Sequence, residues 1–566
     1  MLLEAALKLW GLSYRPRFEH ACADPGLAQT QLLHSLLQRN GMTAFGREHE
    51  FASIHSPSEY ATRVPVRDYE GFRPYVDRLV AGETGVLTRD PVTMFTTTSG
   101  TTGAPKLIPV TEVWRQEVGR LARLALLRAM RDHPGLLRGK VLSIVSPAIE
   151  GYTAGGIPIG SMSGVTQRSL TRLVRRQITP AYEVALIPDP DMRYFLTMRL
   201  ALGENVSFIA TPNASTLLRL AETAATHGDE IVEAVARGTL GIPPFEGIAE
   251  PVTGHGDLVA RLEGGLHPNP TRARELEAVL REHGRLLPGA CWPALAMIGC
   301  WLGGGSGVHA QRLAQHYGER PMRDLGFLAS EGSMSVPVED GTPAGALAVH
   351  STYFEFIRES EIEEPSPATL GAAELQEGER YYVLLTGGNG LYRYDINDVV
   401  EVRGFYRRTP RIAFVRKGRD MLSITGEKLH LNHVQDAIQR AEAATGWDLL
   451  YYRLIPDVED SRYELLVEPA GPAPSGSRFL TQFDTRLGAV NQEYAAKRAS
   501  GRLHPPLLHV MRRGWGERLC REDFRAGKRD NQHKWVVMTP QWDEQSRQEV
   551  ERTIDLGNLL RDPGEA

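Results

Sequence analysis

The 566-residue sequence has only four cysteines, which are Cys22, Cys291, Cys300 and Cys520, and none of them forms a C-x-x-C pair. Four thiols at this spacing are too few for the disulfide framework of a small secreted domain. The spacing also lacks the paired ligands of a structural zinc site. We therefore expect a protein of a reducing compartment, the cytoplasm, without structural zinc.

Long apolar stretches and concentrated positive charge are also missing. No run of 18 apolar residues occurs, and Glu4 and Lys8 interrupt the apolar start MLLEAALKLW. We therefore expect neither a membrane span nor a signal peptide. The formal net charge is −5 and the basic residues are scattered, which predicts no nucleic-acid partner. The length exceeds what one core usually fills, so two or more domains are expected.

Lysine is scarce, with eight residues against 56 arginines. Such a bias replaces lysine by arginine wherever any cation suffices. The two side chains are not chemically interchangeable, because lysine is a compact ammonium on a flexible stem. The remaining lysines are therefore candidate functional groups.

Apolar runs alternate with helical patterns along the first 400 residues. The first 90 residues predict helices and turns, and the runs VLSIVSPAIE, VSFIATPN and ALAMIGCW predict buried strands. Residues 215–285 are predicted to be mainly helical. This alternation predicts an α/β fold with a mixed or parallel sheet, whose ligands lie at the carboxyl ends of the strands. The basic segment FYRRTPRIAFVRKGRD predicts a domain boundary near 405–420.

The stretch FTTTSGTTGAPKLIPVT, residues 95–111, crowds hydroxyls, glycines and one lysine between two apolar runs. Exposed backbone N–H groups and hydroxyls can surround phosphate oxygens at the start of a helix. A Walker A loop is excluded, because Leu107 stands where its hydroxyl residue should follow the lysine. We predict a phosphate-binding loop between a short strand and a helix that Thr111 caps. Lys106 either adds a charge to this loop or merely flanks it.

The string TSGTTGAPK resembles the phosphate-binding loop of the acyl-adenylate-forming superfamily. The finer pattern resembles the auxin-responsive promoter (Gretchen Hagen) family of acyl-acid amido synthetases. Further similar strings follow in the family's order and extend the resemblance to about residue 535: CWPALAMIGCW, GFLASEGSMSVPV, LLTGGNGLYRYDINDVVEV, VRKGRDMLSITGEKLH and AGKRDNQHKW.

The resemblance implies a large N-terminal adenylate-forming domain of α/β layers with a small β-barrel-like part, over residues 1–410. A hinge at 411–420 and a smaller, mobile α+β lid domain at 421–566 would follow. The implied enzyme uses ATP and Mg²⁺ to adenylate a carboxylic acid, releasing pyrophosphate, and then passes the acyl group to an amine, with an amino acid as the favoured acceptor. Two alternatives stay open, which are an acyl-CoA ligase using the same adenylate and a non-catalytic nucleotide-binding relative.

The resemblance also implies roles for single residues. Glu331 is the expected magnesium ligand, Ser330 contacts phosphate, Phe327 borders the adenine and Asp398 binds the ribose hydroxyls. The residues implied in the phosphate loop are Ser99, Gly100, Thr101, Thr102 and Gly103, with Lys106 beside them.

Two lysines of the C-terminal part, Lys428 and Lys534, are the implied catalytic residues, delivered by domain motion to the reacting oxygens. The residues predicted to contact the substrates are Gly156, Ile157 and Ser161 in a wall of the acyl pocket and Gly304 beside the adenosine.

The sequence departs from the family pattern at three positions. Ala329 stands in place of serine, Asp395 in place of a basic residue and Asn397 in place of glycine. Asparagine tolerates positive φ better than other non-glycine residues, so we expect the turn at Asn397 to survive.

Overall fold

The computed structural model describes residues 2–98, 106–243, 256–362, 364–418, 421–471, 475–516, 518–519 and 537–556. Contacts between residues divide the chain into two compact units. One holds Met1–Thr98 and Lys106–Arg416, and the other holds the chain from Lys417 onward. No helix in these described ranges is both long and apolar enough to cross a membrane.

The first unit begins with helices, as the sequence predicts. Asp24 starts the second helix, since its side chain accepts a hydrogen bond from the Leu27 N–H at 3.1 Å and Pro25 occupies the first turn. The α-helices before residue 90 are Leu2–Ala23, Pro25–Asn40, Ala44–Glu48, Pro57–Arg63 and Tyr69–Val80, with a 3₁₀ turn at Phe51–Ser53.

A sheet of five parallel strands forms the α/β layer. Its strand order is Ile178–Thr179, Lys140–Leu142, Val206–Ala210, Met297–Gly299 and Met322–Arg323. The α-helices after residue 150 in this unit are Met162–Ser169, Arg172–Arg175, Pro190–Leu202, Ala214–Thr226, Gly228–Arg237, Gly256–Glu263, Pro270–His283, Pro288–Cys291, Gly304–Arg312 and Ala314–Tyr317, with a 3₁₀ turn at Tyr182–Leu186. The parallel pairing confirms the predicted sheet. Leucines, alanines and Trp292 of this layer form one buried cluster.

The phosphate-loop segment differs from the prediction by one strand. Strand Val92–Thr98 pairs antiparallel with a second strand, Lys106–Thr111, in the register Thr98↔Lys106. The helix Glu112–Asp132 starts only after this second strand, and Thr111 caps it through the Trp114 N–H at 3.2 Å. The cap and the position of the segment between a strand and a helix were predicted correctly, but the intervening strand Lys106–Thr111 was not predicted. Two short strands, Pro158–Ile159 and Gly151–Tyr152, complete this sheet.

A seven-stranded sheet forms the β-rich part of the first unit. Its strand order is Ser335–Pro337, Gly345–Leu347, Thr409–Lys417, Tyr394–Tyr406, Arg380–Thr386, Tyr353–Arg358 and Leu370–Gly371. Short 3₁₀ turns occur at Glu359–Glu361 and Ala372–Glu374. One face of the sheet packs in a core with the N-terminal helices, where Phe45 stacks on Tyr392 with ring centroids 4.9 Å apart.

The second unit is an α+β fold. Its four-stranded sheet has the order Leu449–Asp457, Arg462–Pro469, Leu507–Met511 and Val550–Asp555, and Met421–Leu422 pairs with Leu429–His430 in a separate hairpin. Its described α-helices are Leu431–Thr445, Gly476–Val490, Gln492–Ala499 and Glu544–Gln548. The string HLNHVQDAIQRAE, whose apolar residues recur at helical spacing, lies almost entirely in helix Leu431–Thr445.

Candidate functional site

A tight turn presents the two central residues of the ASE string. Leu328 pairs with Ser333 and Ala329 with Gly332, so Ser330 and Glu331 form the two-residue turn between the strands. We call residues 328–333 the acidic hairpin. Two-residue hairpin turns are compact, and this one holds the Glu331 carboxylate at its tip.

The carboxylate of Glu331 is buried, and one of its oxygens lacks a protein partner. The residue is 4% exposed, and its Oε2 accepts no hydrogen bond from the described part of the chain. A buried acceptor without a partner is costly, and a carboxylate oxygen is a ligand that Mg²⁺ prefers. The residue therefore fits a magnesium ion that also contacts a bound phosphate.

Residues 387–390, which we call the asparagine loop, form a hydrogen bond to the acidic hairpin. Asn389 is completely buried and donates from Nδ2 to the main-chain oxygen of Glu331 at 3.2 Å. The Thr111 hydroxyl donates to the Gly388 oxygen at 3.4 Å. Asn389 was not predicted from the sequence, where an asparagine between glycines indicates only an ordinary turn.

Asp398 lies where the long strand Tyr394–Tyr406 bulges. Tyr382 pairs with Val399 and Leu384 with Asp395, so residues 396–398 stand opposite one residue of the neighbouring strand. Asp398 is 2% exposed. Bulges re-aim side chains and are frequent beside active sites, which suits a carboxylate that binds a ligand; its contact with ribose stays a prediction.

Aromatic and glycine residues meet beside the acidic hairpin. The rings of Phe327 and Phe414 lie 5.9 Å apart between centroids. A Cβ at Gly303 would lie 2.9 Å from the Phe414 main-chain oxygen, and Gly304 adopts φ of 54° directly against the Phe414 ring. Glycine is needed at both positions, because a side chain would collide with Phe414. We call residues 300–304, which lead into helix Gly304–Arg312, the glycine-rich loop.

The described end of the phosphate-loop segment lies against Tyr69. The ammonium of Lys106 lies 5.6 Å from the centre of the Tyr69 ring, and the Tyr69 hydroxyl accepts the Leu107 N–H at 2.8 Å. Burial, followed by the charge of Glu331, raises the pKa of Tyr394 well above its ordinary value. Ser99, Gly100, Thr101, Thr102 and Gly103 lie outside the described residues, so their predicted role stays a prediction.

The residues predicted for the wall of the acyl pocket lie in and beside strand Pro158–Ile159, which belongs to the sheet that carries the phosphate-loop segment. Gly156 forms an exposed turn with φ of 78°, and Ile157 is half-buried against the main core. The Ser161 hydroxyl accepts the Ser163 N–H at 3.2 Å at the start of helix Met162–Ser169. The Gly160 N–H bonds the Phe95 oxygen at 2.9 Å, which fixes this segment to strand Val92–Thr98.

In the second unit, a buried carboxylate shapes the loop that carries Lys428. Glu427 is completely buried and accepts hydrogen bonds from the Ile424 and Thr425 N–H groups and from the Tyr463 hydroxyl. The Asn491 side chain donates to the Lys428 oxygen at 2.7 Å. The main chain of Lys428 is therefore fixed by its neighbours. Lys534 lies outside the described residues.

Three family models match the chain in order. They are the GH3 family N-terminal domain over residues 15–322, the GH3 family central domain over 345–417 and the GH3 family C-terminal domain over 432–541. The first alone spans more than half of the chain.

The chain belongs to the GH3 family.

Curated relatives of this GH3-family chain are plant enzymes. An indole-3-acetic acid-amido synthetase of Arabidopsis thaliana is 24% identical over 89% of this chain and 88% of its own length. A jasmonoyl–L-amino acid synthetase of Nicotiana attenuata is 24% identical over 75% of this chain and 74% of its own. The solved structure of the GH3.15 acyl acid amido synthetase is 21% identical, covers 95% of both chains and superposes with a TM-score of 0.60. This likeness confirms the predicted fold class, an α/β N-terminal domain followed by a smaller α+β domain.

The departures of this GH3-family chain from the family pattern have local explanations. Asn397 adopts φ of 55°, which confirms that asparagine preserves the turn. Its N–H donates to the Asp395 carboxylate at 2.7 Å, so Asp395 stabilises the same bulge. Ala329 is half-buried and packs against the main apolar core.

Tyr392 and Arg393 of the string LLTGGNGLYRYDINDVVEV pack and pair inside the fold. Tyr392 is completely buried, and Arg393 pairs with Glu355 at 2.9 Å.

Proposed function

We propose that this protein is a cytoplasmic ATP-dependent ligase that joins a carboxylic acid to an amino acid. The acid is first converted to acyl-AMP with release of pyrophosphate. The amine of the amino acid then attacks the acyl carbon, AMP leaves, and an amide forms. The observation that carries this proposal is the ordered match of all three GH3 domain models, since the similar curated proteins are named as acid–amido synthetases.

The first half-reaction needs a carboxylate placed in line with the α-phosphorus of ATP and compensation for the charge that develops there. Glu331 would hold a magnesium ion, which would neutralise charge on the phosphate oxygens. Asp398 would orient the ribose by accepting from its hydroxyls, and the glycine-rich loop with Phe327 would border the adenosine. The phosphate loop of residues 99–103 would donate hydrogen bonds to the phosphates, with Lys106 at its end.

We assign Lys428 and Lys534 to the reaction on the strength of the family strings in which they occur. The part of the chain beyond the proposed hinge at 411–420 would act as a lid. A flexible ammonium can be delivered to developing negative charge by such a motion. Glu427 supports this role for Lys428, because a buried, fully bonded carboxylate holds the main chain from which the lysine side chain extends.

Pyrophosphate release tests the proposal directly. The enzyme is incubated with ATP, magnesium and a panel of aryl, indolyl and alkyl acids, together with either pooled amino acids or CoA. The masses of the products are determined by mass spectrometry. We expect pyrophosphate together with an acyl-amino-acid mass. Acyl-CoA as the only product would replace the amide ligase by an acyl-CoA ligase. Bound ATP with no turnover of any acid in the panel would favour a non-catalytic relative.

A further inference from the structure

The carboxyl ends of two neighbouring parallel strands meet at Asp324. Strand Met297–Gly299 leads into the glycine-rich loop, and strand Met322–Arg323 leads through Asp324 to the acidic hairpin. The Cys300 N–H bonds the Arg323 oxygen at 3.1 Å, so the two segments leave the sheet side by side. Asp324 is 6% exposed. In open α/β sheets this edge is where ligands bind.

Asp324 joins the two segments through both of its carboxylate oxygens. Its Oδ2 accepts the Leu302 N–H at 2.7 Å, and its Oδ1 accepts the Gly326 N–H at 2.6 Å. An ionised carboxylate accepts at both oxygens, whereas a protonated one turns one of them into a donor. The Trp301 ring N–H adds a second link by donating to the Gly326 oxygen at 3.1 Å.

The joined segments carry the residues predicted to border the adenosine. Gly303 and Gly304 follow Leu302 directly and press against Phe414. Phe327 follows Gly326, and its ring packs on the same Phe414. A change in the Asp324 hydrogen bonds would therefore move two sides of the adenosine position relative to one another.

We propose that Asp324 is a positioning residue for the nucleotide, whose ionised carboxylate holds the glycine-rich loop and Phe327 in the arrangement that binds adenosine. This inference rests on the proposed function, which supplies the nucleotide ligand. It adds that the binding of adenosine at this site depends on pH.

The environment of Asp324 brings its ionisation into the neutral range. Burial raises the pKa of Asp324 to about 7, while the two backbone N–H groups oppose the rise. The titratable neighbour on the adjacent segment is Cys300, whose thiol stays neutral because burial raises its pKa to about 12. Arg323 on the other side is engaged by Asp132 and Asp340. His133 contacts Asp340 at 2.8 Å on the far side of Arg323. The Asp324 carboxylate is the group that links a change of charge between pH 6 and 8 to the glycine-rich loop, through its hydrogen bonds to Leu302 and Gly326.

Protonation below pH 7 therefore removes one of the two acceptors and weakens adenosine binding. The free energy of unfolding depends on pH in the opposite direction to adenosine affinity. Because the pKa is raised on folding, the folded protein binds more protons than the unfolded chain between the ordinary aspartate value and about 7. The free energy of unfolding therefore falls as pH rises through this window, in which Asp324 ionises and the protein becomes competent to bind adenosine.

The test uses adenosine, whose charge is constant between pH 6 and 8.5 and which makes no phosphate contacts. Its dissociation constant is measured by calorimetry for the wild type, for Asp324→Asn and for the exposed control Asp229→Asn. If only the ionised form binds, wild-type affinity falls about tenfold from pH 8 to pH 6, as the competent fraction falls. Asp324→Asn, which keeps one acceptor oxygen, is expected to bind about tenfold more weakly at pH 8 and to show a flat profile. Its KM for ATP should rise more than its kcat falls.

Wild-type affinity and pH profile in Asp324→Asn would overturn the inference. Should Asp324→Asn fail to fold, Trp301→Phe serves instead. It should weaken adenosine binding a few-fold and keep the wild-type pH profile, and a profile made flat by this change would contradict the assignment to Asp324. A pH-dependent adenosine site in a protein that releases no pyrophosphate would support the inference while refuting the proposed ligase.

Discussion

The side-chain amide of Asn389 donates to the main-chain oxygen of Glu331 at 3.2 Å across 58 residues of sequence. Both residues are buried, and neither the Oδ1 of Asn389 nor the Oε2 of Glu331 accepts a hydrogen bond from the described residues. The hydrogen bond fixes the turn of the acidic hairpin, so the position of the Glu331 carboxylate depends on a residue in the loop between two strands of another sheet.

Replacing Asn389 should therefore impair catalysis through Glu331. Asn389→Ala removes the donor, and we expect adenylation to slow about fivefold, the equivalent of one buried hydrogen bond of about 1 kcal/mol. Asn389→Asp should slow it further, because a carboxylate oxygen would then face the Glu331 oxygen. Single-turnover pyrophosphate release measures both rates.

The exposed Asn205 supplies a matched control, since Asn205→Ala removes the same side chain from the surface of the same unit. Adenylation by Asn389→Ala at the rate of Asn205→Ala would show that the hairpin keeps its geometry without this hydrogen bond.

Glu331→Gln should raise the magnesium concentration needed for half-maximal adenylation about tenfold. The change keeps the shape of the side chain but replaces a charged oxygen ligand by a weaker, neutral one. A magnesium titration at saturating ATP measures the effect, with the exposed Glu364→Gln as control. An unaltered titration in a folded Glu331→Gln protein counts against Glu331 as the magnesium ligand.

The ion pair between Arg393 and Glu355 is predicted to stabilise the fold without taking part in the chemistry. Both side chains are at least 94% buried, and Arg393 also donates to the Ala61 and Val64 oxygens. Removing one partner leaves an uncompensated charge, so Glu355→Gln should cost about 3–5 kcal/mol of unfolding free energy. Denaturant titration measures this cost.

The exposed pair Arg237–Glu233, with side chains 71% and 59% exposed, is the comparison for that prediction. Glu233→Gln should change the unfolding free energy by less than about 1 kcal/mol. Equal losses of unfolding free energy in the two variants would mean that the hydrogen bonds from Arg393 to backbone oxygens are sufficient to stabilise its charge.

The sequence predicts the parallel sheet and the N-terminal helices but not the strand after the phosphate loop. The stretch KLIPVT contains Pro109, which cannot donate to a ladder and argues against a central strand. In the structure Pro109 lies opposite Phe95 in the edge strand Lys106–Thr111, a position where proline is tolerated. This strand was missed because strand pairing, which involves a second segment, overrides the local signal of Pro109.

The same distinction separates the site residues that were predicted from those that were missed. Glu331 and Asp398 occur inside recognisable strings, and Asn397 could be interpreted from its tolerance of positive φ. Asn389 and Asp324 act on residues 58 and 22 positions away, so no local pattern reveals their partners. For Asp324 one signal exists, which is an acidic residue directly after a buried strand, where the ligands of an α/β sheet are expected.

Lys534 provides the most direct test of the proposed lid, because the same string contains a second lysine, Lys528. Lys534→Ala should slow single-turnover adenylation at least tenfold while ATP still binds, since the ammonium is assigned to charge that develops only during the reaction. Lys528→Ala removes an equal charge six residues earlier and should leave the rate unchanged. Pyrophosphate release and ATP affinity are measured on both variants. Equal slowing would mean that the string contributes general positive charge, whereas an unchanged rate in Lys534→Ala would remove this lysine from the mechanism and leave Lys428 as the candidate that the lid supplies.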